Sequence, residues 1–392
     1  MADPSMGDQP MPFPGPDPFG DAAQALLRPD LGAIAGQMGN VEDEYGPEPS
    51  FEEPDIVDEA RLLAERTERE IRNAFSTSKL WEFERTLGNG SQGITVLIKN
   101  KSLLDRRPKR VVLKRSIRDD DDAIEDVSYT RPRAGKIAAF ARRNFGMIEN
   151  PPQNIFKILH LRRGPALILE VKNGSLQSFQ YKISQRRIKL PNRILWSWLY
   201  CLTRACIGMT YEKEGFEDGP LELETLQEGP GLFPVHHRDI AARNVMVADR
   251  ELQVPELPKL VLIDFGLAGW ADNDYYAQQG NMYEIAMVMV HLTIADLALH
   301  GQVRNAVHNG IRTRAGLILP DNGVDPLPLL DPDLRDLLAR MLNTASGQRP
   351  ELEQVFEEVR VGMLKDAAAY PGNPCETDDY IRDLLQGLLN DA

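Results

Sequence analysis

Two short polar strings, set twenty residues apart, constrain this chain more than any other feature of its sequence. The first reads HRDIAARN and spans residues 237–244, and the second reads DFG and spans residues 264–266. The tripeptide alone means little, but an H-R-D-x-x-x-x-N string is rare by chance, and here order and spacing agree. The branched pair Leu262 and Ile263 precedes the second string, which indicates a strand that delivers the acid to a fixed place.

The side chains in these strings are suited to proton transfer and metal binding. Asp239 can accept a proton from an attacking hydroxyl. The amide oxygen of Asn244 and the carboxylate of Asp264 are ligands of the kind that Mg²⁺ prefers. Arg243 can neutralise negative charge that develops on a transferred group. These four residues are the first candidates for a catalytic site.

A glycine-rich segment and a lysine precede the two strings. Residues 87–93, LGNGSQG, join two strand-like runs, and glycines there let the backbone approach phosphate oxygens and accept positive φ. Alone, this pattern fits a plain β-hairpin turn equally well. Lys114 ends the apolar run VVL on the next predicted strand and can reach inward to phosphates. Alone, a lysine that snorkels at a strand edge is the simpler interpretation.

Taken together and in this order, these segments resemble the protein kinase family over residues 81–361. The resemblance implies an α+β, two-lobed protein-kinase-like fold with ATP in the cleft between the lobes. A small β-rich N-lobe would span residues 80–171, and a larger α-helical C-lobe would span residues 172–362. Short β-rich runs also give way to mainly helical patterns beyond residue 191, which favours the same arrangement.

The resemblance further implies ATP and Mg²⁺ as cofactors and a role for each matched residue. Asp239 would orient the substrate hydroxyl, with Arg243 beside it, and Asn244 and Asp264 would bind Mg²⁺. Eight positions would contact the nucleotide: glycines cover the phosphates, a lysine holds the α- and β-phosphates, a hinge pair offers backbone groups to adenine, and two apolar side chains sandwich its ring. They are Gly88, Gly90, Gly93, Val112, Lys114, Glu170, Lys172 and Met246.

Three departures from the family pattern bear on activity. The family pairs the strand lysine with a glutamate on the next helix, whereas the candidate helix at residues 134–147 contains no acid. Only sixteen residues separate Asp264 from Asn281, which stands where an aspartate is expected. The segment that supports a protein substrate is therefore short, and Arg349 lacks its usual glutamate. Ala241 replaces the lysine of Ser/Thr-selective relatives and resembles the tyrosine-selective version.

Composition limits the partners that the chain can have. It has 45 Lys and Arg against 59 Asp and Glu in 392 residues, a net charge of −14, which argues against nucleic acid and anionic membranes as partners. Three cysteines without a CxxC pair cannot form a disulfide framework, so an intracellular compartment, cytoplasmic or nuclear, is expected. The most apolar stretch, residues 285–299, is too short to span a bilayer and predicts a buried core helix.

The two ends of the chain differ from its central region. Residues 1–55 are rich in Pro, Gly, Asp and Glu and cannot bury enough apolar surface to fold, so a disordered acidic tail is predicted. Residues 56–79 carry a helical pattern that predicts a lead-in helix. Residues 363–392 are predicted to be a C-terminal extension with a short amphipathic helix at residues 380–389.

Three functions are compatible with these patterns. The first is an active protein kinase that transfers the γ-phosphate of ATP to a Ser, Thr or Tyr hydroxyl of a protein, which the complete set of motif residues favours. The second is a pseudokinase scaffold that binds nucleotide or partners without efficient catalysis, which the missing helix acid and the short segment favour. The third is a small-molecule kinase of the same fold, which the loss of the peptide platform favours.

Overall fold

The computed structural model describes residues 56–90, 93–101, 109–116, 166–169, 174–211, 226, 234–251, 254–265, 267–270, 274–294 and 296–390. Within these residues the chain is a mixed α+β protein with small antiparallel sheets, which confirms the predicted fold class at that level. The predictions for the tail at 1–55, the helix at 134–147 and the hinge residues Glu170 and Lys172 lie outside the described residues.

In the described part of the chain, a four-stranded antiparallel sheet with one helix packed on it forms the first unit. Helix α1 (Ile56–Ser76) precedes strands β1 (Trp81–Gly90), β2 (Gly93–Asn100), β3 (Arg110–Ser116) and β4 (Ala166–Leu169), which are hydrogen-bonded in that order. One face of α1 and one face of the sheet share a small hydrophobic core. Its buried members are Ile71, Phe75, Trp81, Ile94, Val96, Ile98, Val111 and Leu113.

The alternation of side chains along β3 determines where its lysine lies. Val111 and Leu113 are fully buried in the small core. Because successive side chains of a strand point to opposite faces, Val112 and Lys114 lie on the other face of the sheet. The small core therefore fixes the strand from one side and leaves Lys114 available to groups on the other.

The second unit is mainly helical. Its helices are α2 (Leu176–Gln185), α3 (Asn192–Thr210), α4 (Asp274–Thr293), α5 (Pro332–Met341), α6 (Leu352–Gly362) and α7 (Asp378–Asn390). The described residues also form three antiparallel two-stranded ribbons. They pair β5 (Val235–His236) with β8 (Gly269–Trp270), β6 (Val245–Glu251) with β7 (Val254–Leu262), and β9 (Ala306–His308) with β10 (Ile311–Thr313).

Helices α3 and α4 run through a second, larger core. Trp198 on α3 and Ala286 on α4 are fully buried there, and Leu388 brings α7 onto the same core. The core helix predicted at 285–299 is present, but it ends at Thr293, and Asp296 then caps a short 3₁₀ turn by accepting from the N–H of Ala298 at 2.9 Å. No helix in the described part of the chain is long and apolar enough to cross a membrane.

A buried carboxylate ties the start of α5 to two other parts of the helical unit. Asp331 caps α5 by accepting from the N–H of Asp333, and it also accepts from Trp196 Nε1 at 2.9 Å, Tyr370 Oη at 2.7 Å and Lys365 Nζ at 2.7 Å. Burial alone would raise the pKa of Asp331, but hydrogen bonds from Lys365, Trp196 and Tyr370 outweigh it and hold that pKa below 3.8, its ordinary value. The charged carboxylate is therefore the form that the fold stabilises.

Candidate active site

A β-hairpin brings the ends of the two polar strings together. Val245 pairs with Leu262, at the start of β6 and the end of β7. Because the strands are antiparallel, the residues just before Val245 and just after Leu262 lie at the same end of the ribbon. The N–H of Ile263 donates to the carbonyl of Asn244 at 2.8 Å. Asn244 precedes the first residue of β6 and Asp264 follows the last residues of β7, so both residues lie at the same end of the hairpin.

Lys114 connects the sheet to this end of the hairpin. Its Nζ donates to Asp264 Oδ1 at 2.6 Å, although the two residues are 150 positions apart in sequence. The side chains are 17% and 38% exposed, so the pair is partly shielded from water, and a charge-assisted hydrogen bond of this length belongs to the stronger kind. The structure thus places two predicted site residues, one from each unit, in direct contact.

Asp239 is held by two neighbours from its own string. Its carboxylate forms an ion pair with Arg243, and its Oδ2 accepts from Asn244 Nδ2 at 2.8 Å. Asn244 Nδ2 also donates to the Asp239 carbonyl at 2.9 Å. The three predicted residues therefore form one cluster, in which Arg243 compensates the charge of Asp239 in addition to the role predicted for it.

His237 joins the two strings as a neutral, buried side chain. Burial lowers the pKa of His237 to about 4, so the ring carries no charge at neutral pH. Its Nε2 lies 3.2 Å from the Ile263 carbonyl, and its Nδ1 accepts from the N–H of Asp239 at 3.3 Å. A carbonyl can only accept, which assigns the proton to Nε2. The ring also meets Phe265 edge-on, with centroids 4.4 Å apart.

Two residues of the strings have left-handed backbones. Arg238 has φ of 64° and Asp264 has φ of 67°, a region that aspartate tolerates better than most residues but that is strained for arginine. Such strain persists only where the surroundings impose it, and it is concentrated at functional sites. Gly269 makes room for Arg238, because a Cβ at that glycine would lie 2.7 Å from the guanidinium. The backbone here is thus held in a conformation that local preference alone would not select.

Asn281, at the position where an acid was expected, anchors the first string to α4. Its Oδ1 accepts from the N–H of His237 at 2.9 Å, and its Nδ2 donates to the carbonyl of Val235 at 2.8 Å. The residue is fully buried, so both bonds are shielded from water. The amide both accepts and donates here, which a carboxylate cannot do. The only sign of this role in the sequence is a polar residue at the head of an apolar helical run.

Replacing Asn281 with aspartate is expected to weaken the fold. The variant has no N–H for the Val235 carbonyl and places a second acceptor against it. A buried group left unsatisfied in this way costs about 1–3 kcal/mol. Denaturant titration at pH 7 should show a free energy of unfolding that is lower by this amount.

Asn322→Asp is the matched control for this substitution. Asn322 is exposed and has φ of 50°, a conformation that both residue types tolerate, so its replacement should change stability by less than about 0.5 kcal/mol. An Asn281→Asp protein as stable as the wild type would contradict the donor role of this amide.

Arg349 supports the same helix through backbone carbonyls and an aromatic ring. Its Nε donates to the Asn343 carbonyl at 2.9 Å and its Nη1 to the Gln279 carbonyl at 3.2 Å. The guanidinium also lies over the ring of Tyr283, 4.6 Å from the centroid, in a cation–π arrangement. Backbone carbonyls and an aromatic face therefore surround a charge for which the sequence suggested no partner.

The predicted nucleotide contacts fall at several places in the sheet and the hairpin. Gly90 and Gly93 form the closing pair between β1 and β2. A Cβ added at Gly88 would meet no atom within 4 Å. The φ of Gly88 is not positive, so open space rather than an unusual backbone conformation distinguishes this position. Val112 pairs with Leu169 across β3 and β4, and Met246 pairs with Val261 in the hairpin. These contacts are structural, and the nucleotide roles of these residues stay predictions.

The oxygen donors of the site suit a metal ion that takes its remaining ligands from water or from a bound phosphate group. Within the described ranges there is no group of three or more His, Cys, Asp or Glu side chains that could hold a metal. Asn244 and Asp264 supply two oxygens from one end of the hairpin. Mg²⁺ is commonly held by one or two protein oxygens, with water and substrate phosphates completing its shell. The donor set therefore fits a magnesium ion bound together with a phosphate group.

Comparison with known proteins adds no family to this geometry. No protein-family model matches the chain, and no curated protein matches it. The chemistry of the site therefore rests on its own residues. These are a lysine bound to an acid, a second acid held by an arginine and an amide, and a neutral histidine that joins the two strings.

Proposed function

We propose that this chain is a protein kinase, which transfers the γ-phosphoryl group of ATP to a Ser, Thr or Tyr hydroxyl of a protein. The fold that accompanies this proposal is two-lobed, with the sheet unit as N-lobe and the helical unit as C-lobe. The observation that carries it is the 2.6 Å contact between Lys114 and Asp264. This contact brings a cation from the sheet to the end of the hairpin that holds Asn244 and, through it, Asp239.

A magnesium nucleotide suits this cluster of groups. Lys114 would supply a cation for the α- and β-phosphates. A Cβ at Gly88 in the neighbouring hairpin would meet no atom within 4 Å, which is compatible with the close approach of a phosphate group. Asn244 and Asp264 would hold Mg²⁺, which when bound neutralises charge on the β- and γ-phosphates. Lys114 and Asp264 satisfy each other in this structure. In the complex Lys114 would turn to phosphate oxygens and Asp264 to the metal.

Asp239 is the residue that would act on the substrate. Its carboxylate would accept the hydrogen bond of the attacking hydroxyl and orient it. Arg243 is 55% exposed beside Asp239 and would neutralise charge on the transferred group. His237 fixes the backbone of the string without adding charge. In this scheme, catalysis consists mostly of positioning and charge neutralisation.

A pseudokinase scaffold is the second candidate, and one observation favours it. Lys114 is bound to Asp264, and Asp239 is bound to Arg243. Two pairs of groups that catalysis would need are therefore engaged with each other. In a scaffold, these pairs would serve to hold the two units together and to fix the loop.

Asp239→Asn separates the two candidates. The asparagine keeps the size of the side chain but cannot act as a proton acceptor. We expect the wild type to release ADP from Mg-ATP in the presence of a mixed peptide library, and the variant to do so at least about a hundredfold more slowly. Calorimetry should show that both proteins bind Mg-ATP, because Asp239 does not hold the phosphates.

Equal ADP release by the two proteins, with Mg-ATP binding intact, would favour the scaffold over the enzyme. A purified protein that binds no Mg-ATP at millimolar concentration would contradict both candidates. The choice of peptides matters less than the comparison, since slow hydrolysis of ATP by water also depends on the same site.

A further inference from the structure

A glutamate on α4 lies beneath the loop that carries Asp239. Glu284 Oε2 accepts from the backbone N–H of Ile240 at 2.9 Å. Ile240 is the residue immediately after Asp239, and its own side chain is buried in the larger core. Glu284 follows Asn281 by three positions, so the two side chains lie on one face of α4.

The two polar residues of α4 hold the loop on both sides of Asp239. Asn281 binds the N–H of His237, two residues before Asp239, and Glu284 binds the N–H of Ile240, one residue after it. Helix α4 provides rigid support for these bonds, because all six residues from 285 to 290 are buried in the larger core. The position of Asp239 is thus set from the helix as well as by the neighbours of its carboxylate.

The charge state of Glu284 is compatible with a second acid so close to Asp239. Burial is the main reason why the pKa of Glu284 is raised to about 8. The charge of Asp239 also raises this pKa, whereas the Ile240 hydrogen bond and the charge of Arg243 lower it. At neutral pH the carboxyl is therefore mainly protonated. One of its oxygens can accept from Ile240 without adding a negative charge beneath the loop.

His236 is a further titratable group near this carboxyl. Its Nε2 lies 3.8 Å from Glu284 Oε1, beyond hydrogen-bond distance. Burial lowers the pKa of His236 to about 4, and the charge of Arg238 lowers it as well. The histidine is therefore neutral at neutral pH and does not draw a proton from Glu284.

We propose that Glu284 is a positioning residue for Asp239, which it fixes against α4 by holding the amide of Ile240. This inference rests on the proposed function, since Asp239 matters to catalysis only if the chain transfers phosphate. A misplacement of about 1 Å in a catalytic group can cost about a hundredfold in rate. Loss of the hydrogen bond between Glu284 and the Ile240 amide would therefore be enough to lower the rate of turnover.

Three substitutions at this position separate positioning from general support of the fold. Glu284→Gln keeps an oxygen for Ile240, Glu284→Asp draws the oxygen back by one methylene, and Glu284→Leu removes it. We expect kcat to fall about tenfold to a hundredfold in the aspartate and leucine variants. The KM for ATP should stay within about twofold of the wild type in all three, because Glu284 does not face the nucleotide groups. The glutamine variant should retain most of the wild-type kcat.

Hydrogen exchange at the Ile240 amide provides a readout that needs no activity. The amide should exchange faster in the aspartate and leucine variants than in the wild type, and the glutamine variant should protect it. Glu357→Gln on α6 is a control, because that side chain is 55% exposed and pairs with Arg360. It should leave both kcat and the exchange of Ile240 unchanged.

Each result decides the proposal. Wild-type kcat in the aspartate or leucine variant, or a glutamine variant as slow as the leucine variant, would overturn it. If the leucine variant fails to fold, the contrast between aspartate and glutamine gives the same decision. If the wild type shows no turnover, the kinase proposal fails by itself, and unchanged exchange of Ile240 in the aspartate variant would then reject the positioning role as well.

Discussion

Replacing Lys114 with methionine is expected to lower ATP turnover by several hundredfold, and Asp264→Asn should have an effect of similar size. Lys114→Met removes a cation that would stabilise the transferred phosphoryl group, and Asp264→Asn removes the carboxylate that would hold the Mg²⁺ needed for the same purpose. Loss of one such stabilising group costs about 10²–10³ in rate at comparable sites. Initial rates of ADP release at saturating Mg-ATP measure the effect directly.

The chain offers matched controls for both substitutions. Lys99→Met changes an exposed lysine on the neighbouring strand, whose Nζ lies 3.5 Å from Glu82, and Asp379→Asn changes an exposed acid on α7 that pairs with Arg382. Both controls should turn over ATP at the wild-type rate. Turnover near wild type in Lys114→Met or Asp264→Asn would count against the proposed site.

The double variant tests whether the two groups act together. Lys114 and Asp264 are in contact, and residues that act as one catalytic unit have strongly non-additive effects. We therefore expect the double variant to be little slower than either single variant. If the two losses multiply instead, Lys114 and Asp264 contribute independently, and a shared nucleotide complex would not explain them.

Asp331→Ala is expected to be the most destabilising of the substitutions considered. It removes the cap of α5 and leaves the buried N–H of Trp196 and the hydroxyl of Tyr370 without their acceptor. Breaking a buried charged group of this kind costs about 3–5 kcal/mol. Denaturant unfolding at pH 7 should show a loss of this size.

Asp333→Ala is the internal control, because Asp333 binds the same Lys365 Nζ at 2.6 Å from an exposed position, with 76% of its side chain accessible. The Asp333→Ala variant should lose no more than about 1 kcal/mol of unfolding free energy.

The contribution of Asp331 to the free energy of unfolding should also depend on pH. Its pKa is held below 3.8 in the folded protein, so its contribution is present above that pH and is lost as the pH falls through the lower folded value. The two variants would contradict this account if they were equally stable at pH 7.

The elements around the motifs could be predicted because their patterns are local. Runs of β-branched and aromatic residues between Trp81 and Ser116 predict strands, and β1, β2 and β3 are confirmed there. The apolar pair before Asp264 predicted a strand, and β7 ends at Leu262. The amphipathic pattern at residues 380–389 predicted the helix that is observed as α7. In each case the signal lies within about ten residues.

The contacts that build the site could not be predicted in this way. The sequence offered no partner for Lys114, because the segment expected to carry the family's glutamate contains no acid, whereas the structure shows the Lys114 Nζ bound to Asp264. That contact depends on how the sheet meets the hairpin, which no local pattern encodes. In the sequence, Asn281 and Glu284 are polar residues within an apolar helical run. The backbone N–H that each one binds is determined by the position of the loop around Asp239, which the sequence does not reveal.

In the described part of the chain, the two hydrophobic cores have no residue in common, and this separation has a thermodynamic consequence. Each core can melt at its own temperature, so scanning calorimetry of the ligand-free protein should resolve two heat-absorption peaks. A ligand that bonds to Lys114 on one side and to Asp264 on the other stabilises both parts by mass action. Such a ligand would draw the two peaks together, so occupancy of the site at Lys114 and Asp264 becomes visible as a gain in unfolding cooperativity.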